Sequence, residues 1–133
     1  MIVVDSSIWI DFFNSPQTKY SALEVITRAG ADIAITYVIL TEVLAGFKKE
    51  RDFENAKNIF ERLNILSVDR NTHIDTATLY RKLRVKGITI RGILDCLIAQ
   101  TCIEHNAELL TTDQDFKKIA SHSTLKLLSL PTL

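Results

Sequence analysis

Residues 1–10 read MIVVDSSIWI. Ile2, Val3 and Val4 form a β-branched run of the kind that fills a strand covered on both faces. The run stops at a carboxylate, Asp5, and two hydroxyls, Ser6 and Ser7, before Ile8, Trp9 and Ile10 resume the apolar sequence. A charged side chain inside such a stretch demands a special place, because an ionised group buried without a partner is costly. If Ile2–Asp5 is a strand, Asp5 is where it ends.

The rest of the chain supplies that strand with neighbours. Short apolar runs alternate with segments of helical period. Ile33–Thr36, Ile65–Val68, Glu108–Thr111 and Lys126–Ser129 read as four more strands. Ser21–Arg28, Tyr37–Phe47, Asp52–Leu63, Thr72–Lys86, Gly92–His105 and Asp115–Ala120 read as helices, several closed by glycine or asparagine. Alternation of this kind predicts an α/β fold, a central parallel sheet of about five strands with helices on both faces, in which a ligand site lies beyond the carboxyl ends of the strands. Asp5 then sits at the mouth of that crevice.

With 133 residues, 47% of them hydrophobic, the chain reads as a single domain over residues 1–133 with a sizeable core. Sixteen basic and sixteen acidic residues cancel, so nucleic-acid binding has to come from a local patch rather than from net charge. Cys96 and Cys102 form no CxxC pair and fit a reducing, cytoplasmic setting. A signal peptide and an apolar run of membrane-spanning length are both lacking in the sequence.

Three further acids resist a bland explanation. Glu42, in YVILTEVLAGF, has Val38, Ile39, Ala45 and Gly46 as helical neighbours, none able to pair with a charge. Asp95, in RGILDCLIAQT, suits the positive end of a helix but is surrounded by Leu94, Cys96, Leu97, Ile98 and Ala99. Asp113, in LLTTDQDF, ends a strand and either caps the next helix or faces the crevice, with Thr112 as a rival cap and Asp115 divided between the same two roles. In a parallel sheet these acids share one edge. Four carboxylates there raise one another's pKa, and a hard divalent cation, Mg²⁺ or Mn²⁺, relieves the repulsion. Ser7 and Thr112 are hydroxyls placed to orient a carboxylate.

The segments V-V-D-S-S at Asp5, T-E-V-L at Glu42, D-C-L-I-A-Q at Asp95 and L-L-T-T-D-Q-D-F at Asp113 together resemble PIN-domain ribonucleases, and within them the VapC-type toxins of toxin–antitoxin pairs. The resemblance covers essentially the whole chain. It implies a metal-dependent endoribonuclease acting on tRNA, rRNA or mRNA. Its acidic quartet is Asp5, Glu42, Asp95 and Asp113, with Mg²⁺ or Mn²⁺ held by Asp5, Asp95 and Asp113. Asp115 matches a further acid of the family and Ser7 a hydroxyl position. Glu42 either ligates through water or helps activate the nucleophile. The resemblance also implies a homodimer and a cognate VapB-type antitoxin whose tail covers the site. Ile8, Trp9, Phe12 and Phe13 are apolar candidates for the dimer face, with burial in the core as the alternative.

Candidates for holding RNA are Lys48, Lys49 and Arg51 after the Glu42 helix, and Arg91, which on a continued helix stacks one turn before Asp95 and can pair with it. Two other readings remain. One is a PIN-domain housekeeping nuclease without an antitoxin. The other is a haloacid-dehalogenase-like phosphatase, disfavoured because Ser7 stands where that chemistry needs a second Asp.

Overall fold

The computed structural model describes residues 1–14 and 21–129. Five strands, β1 (Ile2–Val4), β2 (Ile33–Ile35), β3 (Asn64–Ile65), β4 (Glu108–Leu110) and β5 (Lys126–Leu127), form one sheet in the order β3-β2-β1-β4-β5, every pair parallel. Val3, Val4, Ala34, Ile35 and Leu109 are fully buried, which is why their runs lack a polar alternation. The chain moves outward from β1 through β2 to β3, then returns past β1 to β4 and β5. The direction of winding therefore reverses between β1 and β4. That reversal opens a crevice beyond the strands' carboxyl ends.

Helices fill the crossovers: α1 (Ser6–Asn14), α2 (Ala22–Arg28), α3 (Tyr37–Ala45), α4 (Glu50–Phe60), α5 (Arg70–Val85), α6 (Ile93–Glu104) and α7 (Gln114–Ser121). With right-handed crossovers the reversal puts α1–α4 on one face and α5–α7 on the other. In α6, residues Cys96, Ile98, Ala99, Thr101 and Cys102 are all buried, so its sequence is apolar almost all round. α7 is the opposite case, with Phe116 and Ile119 inward and Lys117 and Lys118 in solvent.

The structure adds a helix that the sequence reading did not assign. α1 starts directly after Asp5, whose carbonyl accepts from the amides of Ile8 and Trp9. Ile8 and Trp9 are buried, and Phe12 and Phe13 pack on the core. Trp9 meets Phe60 edge-on at 5.0 Å between ring centroids, and Phe13 meets Phe47 edge-on at 5.4 Å. Ile8 and Trp9 therefore belong to the core and leave the expected dimer face, while Phe12 and Phe13 are only partly buried and line a surface groove. β3 is also shorter than expected. Leu66 still bonds to Ile35, but residues 67–69 leave the sheet so that Asp69 can cap α5, its carboxylate accepting from the amide of Thr72.

Thr36 ties β2 to α3. It is 1% exposed, and its hydroxyl oxygen accepts from the Ile39 amide at 3.1 Å. Thr36→Ala removes that cap and strands a buried donor, at a cost of about 1–2 kcal/mol. The melting temperature should fall by about 5 °C for a chain of this size. An unchanged melting curve would show that the cap contributes nothing.

Candidate active site

β1 and β4 carry the centre of the crevice. Their register pairs Val4 with Leu110, and the Asp5 amide donates to the Leu110 carbonyl at 2.9 Å. The residues that follow each strand are thereby set side by side. Thr111 donates its hydroxyl to Asp5 Oδ2 at 2.7 Å, and the Ser6 amide donates to Asp5 Oδ1 at 2.8 Å. Asp5 is 5% exposed, and its carboxylate is fixed by one donor on each oxygen, with a lone pair left on both. Burial raises its pKa most, the bonds from Thr111 and Ser6 lower it, and the charge of Asp113 raises it again, for a net upward shift.

The other acids surround this one. Asp95 lies in the first turn of α6, with its carboxyl pushed up to about 6, first by burial and then by the charges of Asp113, Asp5, Asp115 and Glu42. Glu42 is shifted upward by partial burial and by Asp5. It faces solvent on α3 rather than the core, so its apolar helical neighbours do not enclose it. Asp95 thus feels the charges of Asp5, Glu42 and Asp113, and Asp5 feels that of Asp113, which puts these four acids around one crevice. Among the described residues, however, no three His, Cys, Asp or Glu side chains already stand together as a set of metal ligands. The acids ring the crevice without closing on a point.

Asp113 is the N-cap of α7, its Oδ1 accepting from the Asp115 amide at 2.9 Å, which settles its rivalry with the exposed Thr112. The same Oδ1 accepts from Arg91 at 3.2 Å. Asp115 is buried and takes both the backbone amide and Nε of Arg91 on Oδ2, with Lys118 at 3.6 Å from Oδ1. Those bonds, led by the Arg91 amide, hold the Asp115 carboxyl below the usual range. Arg91 is therefore corrected. Gly92 caps α6, so Arg91 lies outside the helix and pairs with Asp113 and Asp115 instead of Asp95.

The hydroxyl on Asp5 belongs to Thr111, which the sequence reading passed over, whereas Ser7 and Thr112 are exposed and donate to none of the acids. Lys48 and Lys49, between α3 and α4, and Arg51, in the first turn of α4, are exposed and make no ion pair with the crevice acids among the described residues.

The donor set suits a hard cation: carboxylate oxygens at raised pKa, with no cation paired to Asp5, Glu42 or Asp95 among the described residues. Such a charge at the crevice would offset the repulsion that pushes Asp95 upward.

The chain matches the PIN domain family over residues 2–121. It is 32% identical over 130 residues to VapC ribonuclease Mb1587 of Mycobacterium bovis and to Ribonuclease VapC11 of Mycobacterium tuberculosis, spanning 95% of this chain and 96% of each relative. Among solved structures it is similar to VapBC2 from Rickettsia felis bound to a DNA fragment from their promoter, with a TM-score of 0.76, 29% identity, and coverage of 98% of this chain and 100% of that one. DNA-bound VapBC from Salmonella typhimurium shares the fold at a TM-score of 0.78 and 19% identity, with 96% of both chains covered.

Proposed function

The chain belongs to the PIN-domain family, and from that premise we propose that it is an endoribonuclease, the toxin of a toxin–antitoxin pair, hydrolysing RNA phosphodiester bonds in the crevice between β1 and β4. The observation that carries the reading is Asp5: a buried carboxylate at the reversal point, clamped by Thr111 and Ser6 and surrounded by Asp95, Glu42 and Asp113. Its partner is a VapB-type antitoxin, as in the Rickettsia felis complex. Tyr37 and Leu94, exposed beside Glu42 in an apolar groove, are better candidates for the face of a homodimer than α1.

Asp5, Asp95 and Asp113 are the proposed ligands of Mg²⁺ or Mn²⁺, with Glu42 near enough to act through water. Asp113 keeps Oδ2 for this purpose, since Arg91 and the Asp115 amide both use Oδ1. When bound, the metal supplies charge to polarise the phosphoryl group and acidifies a water. The protein's own part is to hold the carboxylates. Thr111 and Ser6 fix the plane of Asp5. Arg91 and Lys118 keep Asp115 ionised and α7 anchored, which holds Asp113 at the crevice mouth. Asp95, pushed up to about 6 by burial and the neighbouring acids, would be held ionised once a cation offset those charges, so binding the metal would release a proton near neutral pH.

The test is incubation of the purified protein with tRNA, rRNA and an mRNA transcript in Mn²⁺ or Mg²⁺, with and without excess chelator. Cleavage of at least one RNA that stops on chelation is the expected result. Cleavage that persists in chelator removes the metal from the reading, and intact RNA throughout removes the nuclease.

A further inference from the structure

An acidic crevice repels the phosphates it is meant to cut, so RNA needs a cationic surface close by. Lys48, Lys49 and Arg51, past the end of α3, are one candidate. A second groove, about 600 Å³, lies between the loop that joins α5 to α6 and one face of α7. The loop contributes Gly87 and Thr89, and the helix contributes Gln114, Lys117, Lys118 and His122. Acidic residues are missing from its lining. On a chain with no net charge, this is a local concentration of donors and positive charge.

The groove is joined to the crevice by side chains already described. Lys118 reaches Asp115, Asp115 holds Arg91, and Arg91 reaches Asp113 at the crevice mouth. The groove thus begins where the ring of acids ends. His122 adds a second feature. Its Nδ1 donates to the Lys118 carbonyl at 3.1 Å, because a carbonyl can only accept. In the neutral ring this leaves Nε2 as an acceptor, suited to a ribose 2′-hydroxyl.

We propose that this groove binds the backbone of single-stranded RNA and leads it to the acidic crevice, with Lys117 on a phosphate and His122 on the ribose. The proposal rests on the ribonuclease reading above and deepens it. Lys117 is the residue to change, since it is exposed and free of the Asp115 pair that occupies Lys118.

The experiment measures binding of an unstructured RNA to the Asp5→Asn protein across a range of salt, then adds Lys117→Gln or Lys117→Glu. Arg62→Glu, an equal charge reversal on the β3 side of the sheet, is the control. Lys117→Gln should weaken binding about threefold and Lys117→Glu about tenfold, and each lost phosphate contact should flatten the log–log salt slope by about 0.7. Unchanged affinity and slope in Lys117→Glu, or equal weakening by Arg62→Glu, overturns the groove while leaving the nuclease intact. So does a Lys117→Glu protein that binds RNA normally but loses its antitoxin, which would make the groove a seat for an acidic peptide. If the Asp5→Asn parent binds no RNA and the native protein cuts none, the ribonuclease reading fails and takes the groove with it.

Discussion

Asp5→Asn lowers RNA cleavage by about three orders of magnitude or more, with the fold retained. The substitution removes the negative charge at the one acid that is buried, doubly clamped and central to the ring. The fold survives because asparagine can satisfy the same surroundings. Its oxygen accepts from the Ser6 amide, and its nitrogen donates to the Thr111 hydroxyl oxygen, which rotates to accept. Burial no longer has to hold a charge, so the melting temperature should stay level or rise slightly. Circular dichroism and a melting curve check the fold, and a gel assay checks cleavage. Native-level cleavage by the Asp5→Asn protein would sink the site.

The second large effect is on stability, and it follows from Asp95. Its carboxyl titrates at about 6 in the folded protein against an ordinary 3.8, and Asp5 and Glu42 shift the same way. The folded state therefore holds more protons than the unfolded chain between about pH 4 and pH 6, and metal-free stability falls as pH rises through that window. Screening at a half-exposed group limits the loss to about 1–2 kcal/mol. Asp95→Asn should abolish most of the fall, so at pH 7.5 the metal-free variant melts about 3–5 °C above the native protein. Added Mn²⁺ should reverse the order, raising the native melting point and leaving the variant almost unmoved. A native melting point that is flat from pH 4 to pH 6 and indifferent to Mn²⁺ would mean that the acids neither repel nor bind together.

Much of this was legible in the sequence because the physics is local. Ile2–Val4 and Glu108–Leu110 declare themselves by apolar runs, and Asp5 and Asp113 by ending them. Glu42 and Asp95 stood out because their neighbours offer no partner. What escaped notice depends on distance or on overlap. Thr111 is 106 residues from Asp5, and only the pairing of Val4 with Leu110 brings them together. Arg91 reached forward 22 and 24 residues to Asp113 and Asp115, which a helical wheel centred on Asp95 cannot show. α1 was hidden because Ile8, Trp9, Phe12 and Phe13 read equally well as a surface patch. The helical spacing was present, but Ile10, 40% exposed, interrupts its polar side.

The central position of β1 also sets when, during synthesis, the protein can become harmful. The first strand made is the middle of the sheet, yet one of its two neighbours, β4, is 106 residues away at every pairing, Ile33 and its neighbours having long been available on the other side. Closing that long loop comes late. A chain still on the ribosome can pair β1 with β2 and pack α1 while Asp5 waits without Thr111, Asp95 or Asp113. Incomplete chains therefore carry no assembled site, and the machine translating this message is shielded from its product until residues 95–113 have emerged.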